Sequence, residues 1–112
     1  MAYYLVTATP NWELEAELIE KLKAGAFESL RPFGREIMKA LTKARLLESG
    51  SAVWEEEDYC NPPLRAEKEA VLDRYFSDIT VQDMGDKGNG WKRIYTLPRL
   101  FPEVEIYVDP DE

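Results

Sequence analysis

The chain has 112 residues, 45% of them hydrophobic and 12% aromatic, enough for one globular domain (1–112) around a single core. Its net charge of −8 repels phosphate backbones and argues against nucleic-acid binding. Histidine is absent and Cys60 is the single cysteine, which speaks against histidine-based nucleophilic schemes and structural zinc, and excludes an intrachain disulfide.

No apolar run approaches the roughly 20 residues a membrane helix needs, so no membrane partner is expected. The opening MAYYLVTATP lacks a basic region and a long apolar stretch, and predicts no secretory signal. With one cysteine, this points to a reducing, cytoplasmic setting. Amides are limited to Asn11, Asn61, Asn89 and Gln82 while Glu, Lys and Arg abound, a balance that fits a thermophilic source.

Tyr3 to Thr9 is aromatic and β-branched and predicts a buried strand. Pro10 and Asn11 open a helix with Leu14, Leu18, Ile19 and Leu22 as its apolar stripe, ended at Gly25. A second helical stretch runs from about Phe33 to Leu47, with Phe33, Ile37, Leu41 and Ala44 facing inward beside Met38. Ser51 to Asp58 reads as a second strand. Asn61, Pro62 and Pro63 predict a helix start, and Leu64, Val71, Leu72, Tyr75 and Phe76 supply that helix with a buried face. Ile79 to Met84 reads as a short strand ended by the turn GDKGNG. Trp91 to Leu97 fits either strand or helix, and Val104, Ile106 and Val108 alternate with polar neighbours as a half-buried last strand. Alternating elements of this kind predict an α+β domain with a four-stranded sheet and helices on one face.

The C-terminal run LPRLFPEVEIYVDP and the opening MAYYLVTATP are similar to the last and first strand regions of muconolactone isomerases. LRPFGREIMKALTKARLLESG resembles the helix and turn of YCII-related proteins. The resemblance spans about half the chain, and its motifs are unspecific. It implies a ferredoxin-like antiparallel sheet of the dimeric α/β-barrel type, hence a homodimer. It also makes the helix from Leu64 to Phe76 an insertion between the two middle strands. Leu5, Val6, Thr7 and Ala8 offer no acid where the isomerases would have one in strand one, so the resemblance leaves the activity open.

The four consecutive carboxylates of SAVWEEEDYC are the most unusual feature. On a strand, Glu55, Glu57 and Tyr59 point one way and Trp54, Glu56, Asp58 and Cys60 the other. Such a run could bind a hard cation or tune a general base. The favoured reading is a solvated, charged edge strand that resists unwanted pairing, with no metal. Arg31, Arg35, Lys39 and Lys43 recur every four residues as a basic ridge, read as a solvated face, a partner for the acidic edge or an anchor for an anionic ligand. GDKGNG has the wrong spacing for a dinucleotide loop and is read as a turn. Cys60, among acids and without histidine, is read as incidental.

Two functions fit these residues. One is a small-molecule-binding or isomerase-like barrel with Glu55 or Asp83 as proton acceptor, Tyr3, Tyr59 and Trp54 as walls and Arg35 and Lys39 as anionic-ligand contacts. No cofactor is implied. The other is a non-catalytic oligomeric module that docks protein through its acidic surface and basic ridge.

Overall fold

In the computed structural model, which describes residues 2–111, the aromatic and β-branched opening forms strand β1 (Ala2–Pro10). Asn11 then caps a short 3-10 turn (Trp12–Leu14), its side-chain oxygen accepting the Glu13 N–H at 3.2 Å. Helix α1 (Glu15–Lys23) follows and buries Leu18 and Leu22, as its stripe predicts. Helix α2 (Gly34–Lys43) buries Ile37, Met38 and Leu41, and ends four residues earlier than expected. After Lys43 the chain turns into a two-residue strand, β2 (Arg45–Leu46), then through a tight turn into β3 (Ala52–Asp58).

Beyond β3, a helix covers 65–75: α3 (Arg65–Glu67), a π-helical turn (Lys68–Leu72) and α4 (Asp73–Tyr75) run continuously. Leu64, in the left-handed region at φ 65°, stands at its N-cap in place of Asn61. The reason is Asp58, whose Oδ2 accepts the N–H groups of Leu64 at 2.6 Å and Cys60 at 3.1 Å and so closes the turn later. Strand β4 (Phe76–Asp83) begins directly after Tyr75, and the glycine-rich turn leads into helix α5 (Asn89–Ile94). That settles Trp91 to Ile94 as helix.

The strands pair antiparallel in the order β2-β3-β1-β4. With α1 and α2 between β1 and β2, and helix 65–75 between β3 and β4, this is the β-α-β-β-α-β ferredoxin-like arrangement. Helix 65–75 is therefore the regular second crossover and not an insertion. The expectation failed because Ala52–Asp58 is the third strand, and the second is too short to leave a pattern.

The strand expected at 104–108 does not form. Val104 is buried, but Ile106 is 38% and Val108 76% exposed, so the alternation is not matched by an inner and an outer face. The segment lies instead against α2, where the Tyr107 N–H donates to Thr42 Oγ1 at 2.9 Å. An extended chain held by a helix side chain needs no partner strand.

One face of the sheet carries Val6, Ala8, Ala52 and Trp54 into the core, where Leu18, Leu22, Ile37, Leu41, Leu72 and Tyr75 meet them. Each fully buried large side chain contributes about 2–3 kcal/mol of gross burial energy. The short α5 adds cover on the other side of β3, against Glu55.

Candidate functional site

The acidic half of β3 is where the structure departs most from a solvated edge. Glu55, Glu56 and Asp58 are 4%, 0% and 4% exposed. β2 pairs only with Ala52 and Val53, so the outer edge of β3 beyond them has no partner strand among the described residues. Helix α2 covers it, with Glu36 Oε2 accepting the Glu57 N–H at 3.0 Å.

Glu55 holds the glycine-rich turn. Its Oε2 accepts the Gly88 N–H at 3.0 Å and its Oε1 the Gly90 N–H at 2.8 Å. A Cβ on Gly90 would lie 3.1 Å from Glu55 Oε1 and 3.2 Å from its Cβ, so the turn packs closely on this side chain. The turn thus spends its amides on the chain's own carboxylate. Both oxygens of Glu55, the expected proton acceptor, are engaged in anchoring α5 to the sheet.

Two adjoining cavities open where α2, the end of β3 and the glycine-rich turn converge. The smaller, about 160 Å³, is lined by Tyr3, Lys43, Glu55 and Trp91 among others. The larger, about 480 Å³, is lined by Arg31, Arg35, Asp58, Tyr59, Cys60 and Glu67 among others. Glu36, Lys39, Glu57 and Lys87 line both, so the two form one cleft. The basic ridge makes one wall and the acidic end of β3 faces it, which places the two charge runs opposite each other within one chain.

Most of the ridge has partners. Arg35 pairs with Asp109 at 3.4 Å and with Asp111, Lys39 lies 3.8 Å from Glu36, and the Lys43 ammonium stands 4.5 Å over the Trp91 ring. Lys87, on the turn opposite, makes no ion pair within 4 Å among the described residues.

Burial raises the Glu36 carboxyl, opposed by the Glu57 N–H it accepts and by Lys39. Tyr3 is raised by desolvation and then by Glu57, and Tyr59 is raised by its hydroxyl's hydrogen bond to Glu57 Oε1 at 2.8 Å. The cleft therefore holds a carboxyl displaced toward neutrality, two phenols and lysines, a set able to hold and move a proton beside an anionic group.

Behind this wall lies a second group of acids. Glu56 is fully buried on the core face, and its Oε1 accepts the Trp54 indole N–H at 2.8 Å. Desolvation pushes its carboxyl well above the ordinary range, and Glu67, Glu36 and Asp58 add to the rise. Burial and then Asp58 raise Glu67 to about 7, against an opposing hydrogen bond from its backbone.

Of the residues singled out by sequence, Tyr3, Glu55 and Lys39 meet in the smaller cavity, and Tyr59, Arg35 and Lys39 in the larger. Trp54 is fully buried and lines neither. Asp83 lies at the exposed end of β4, its Oδ1 accepting the Gly85 N–H at 2.8 Å, also outside the cleft. Sequence reasoning missed Glu36, Glu57, Lys87, Trp91 and Glu67. Glu36 had a usable signal, an acid set within the basic ridge; Lys87 and Glu67 had none.

Compared with known protein families, curated proteins and solved structures, the chain matches none of them.

Proposed function

We propose that the protein binds a small carboxylate-bearing molecule in the cleft between α2, the end of β3 and the glycine-rich turn, and moves a proton on it in an isomerase-type reaction. One observation carries this reading: Lys39 and Lys87 line both parts of the cleft together with Glu36, a carboxyl whose proton affinity is raised. The lysines would anchor the anionic group, Glu36 would be the proton carrier, and Tyr3 and Trp91 would wall the reacting end. Glu55 enters as the anchor of the turn that carries Lys87.

The resemblance to muconolactone isomerase-like and YCII-related proteins belongs to the same proposal, and the ferredoxin-like strand order supports it. A homodimer built on the sheet is part of the same proposal. Leu5 pairs with Gln82 and Thr7 with Thr80 on the side away from the three core helices, and Thr80 and Gln82 are exposed. A cytoplasmic setting is supported by the single cysteine. The docking-module alternative loses its main support, because Arg35 and Lys43 have partners within the chain.

The test is a thermal-shift screen of small mono- and dicarboxylic acids on wild type, Lys87→Ala and Glu36→Gln. A stabilising acid whose effect disappears in Lys87→Ala supports anchoring in the cleft, and turnover lost in Glu36→Gln with binding retained assigns the proton. An acid that stabilises wild type and Lys87→Ala equally, or no stabilising acid at all, overturns the reading.

A further inference from the structure

Asp58, Cys60 and Glu67 come from three places in the chain: the end of β3, the turn after it, and α3. Each offers one ligand atom, and the three atoms lie within 4.8 Å of one another. Asp58 is 4% and Glu67 2% exposed. Among the described residues, buried Oε2 of Glu67 has no hydrogen-bond partner, and neither has Oε2 of Glu56 in the same group of acids. A buried carboxylate oxygen without a donor is costly, and natural proteins leave few of them.

We propose that Asp58, Cys60 and Glu67 form a binding site for one divalent cation of borderline softness, of the Zn2+ class. The donor set argues the class. Carboxylates alone suit Mg2+ or Ca2+, but a thiolate in the set disfavours these hard ions and favours zinc-like ones. Two carboxylates and a thiolate leave a fourth tetrahedral position for water or for an oxygen of a bound molecule. The absence of histidine excludes the commonest zinc donors, and this set does without them.

The surroundings suit the role. Asp58 Oδ2 is engaged by the amides of Cys60 and Leu64, which fixes the carboxylate beside Glu67. All three residues line the larger cavity, so an ion can enter from solvent. The site opens into the same cleft as the proposed carboxylate ligand, but its test uses the metal alone and so fails or succeeds independently of that reading.

The experiment is calorimetric titration of chelator-treated full-length protein with Zn2+ near pH 7.5, beside Glu67→Gln, Cys60→Ser and a Mg2+ control. Both variants are close to isosteric, and thermal melts without metal confirm that they fold. The expected result is one Zn2+ per chain in wild type, at least tenfold weaker binding in each variant, and little response to Mg2+. Co2+ should give a thiolate charge-transfer absorption in wild type that Cys60→Ser lacks. No stoichiometric binding, or Zn2+ binding unchanged in both variants, overturns the site. The second result would mark the ion as scattered over the surface carboxylates.

Discussion

The indole N–H of Trp54 donates to Oε1 of Glu56, two residues along the same strand, with both side chains fully buried on the core face. A tryptophan inside a core needs an acceptor, and here a carboxyl whose protonated form burial favours supplies it. Glu56→Gln keeps that acceptor and removes the ionisable group. It should raise stability at pH 8, where the folded chain otherwise resists ionising this carboxyl. Glu56→Leu leaves the indole N–H orphaned and should cost about 1–3 kcal/mol relative to Glu56→Gln. Urea denaturation of the pair checks the order; a leucine variant as stable as the glutamine variant would remove the Trp54–Glu56 bond from the account.

The raised carboxyls give an unusual pH profile. Glu67 goes from an ordinary 4.5 to about 7 in the folded chain, so folding favours its protonated form. Its contribution is fully present below about 4.5 and is lost as pH rises through about 7; Glu36 and Glu56 shift in the same direction. Glu17, lowered to about 2 by its hydrogen bonds from Arg74 and then Tyr75, acts oppositely, and its contribution is lost as pH falls from 4.5 toward 2. Stability should therefore peak near pH 5. In chelator-treated protein the melting temperature should drop by about 5–10 °C between pH 5 and pH 8. Glu67→Gln should flatten part of that slope, and a wild-type profile that rises toward pH 8 would contradict it.

Two glycines differ in how tightly they are enclosed. A Cβ on Gly34 would lie 2.2 Å from the Phe27 carbonyl oxygen and 2.6 Å from that of Glu28, both backbone atoms. Gly90 would meet the movable end of Glu55 at 3.1 Å. Gly34→Ala should cost about 3 kcal/mol and Gly90→Ala about 1 kcal/mol. Denaturation midpoints decide; equal losses would mean that the α2 entry can shift.

Thr42 ties the C-terminal segment to α2. Its hydroxyl donates to the Met38 carbonyl at 2.7 Å and accepts the Tyr107 N–H, while its carbonyl accepts from Arg99 at 2.7 Å. Thr42→Val keeps the shape and leaves the Tyr107 amide without its acceptor. The expected loss is about 1–2 kcal/mol, with faster amide exchange at Tyr107 than at Val6 in the core. Unchanged exchange at Tyr107 would show that this bond does not hold the segment.

How much of this the sequence discloses depends on whether the pattern and the packing coincide. The stripes Leu18–Leu22 and Ile37–Leu41 coincide with burial, and the run of β1 buries Val6 and Ala8 on one face, so the three locate main elements. Arg45–Leu46 is too short to have a period, and with it the strand order was hidden. Val104 to Val108 has a period of two without a partner strand, so the same rule predicted too much. The acids of β3 misled for a different reason. A charge run shows nothing of what folds over it, and α2, the glycine-rich turn and helix 65–75 all do.

The strand order also dictates when the sheet can close. β1 is central, yet its partners come late: Ala8 pairs with Ala52, and Tyr4 with Asp83. Neither neighbour can be reached until a crossover of helices has been laid down. The loop entropy of the first crossover must be spent before β1 gains a single ladder bond with β3, and that of the second before it gains one with β4. Folding should accordingly take milliseconds or longer. On the ribosome, Tyr3 to Thr9 would emerge with no strand to pair with until the first crossover delivers β3, and with one edge open until the second delivers β4; over that interval the chain is most exposed to aggregation.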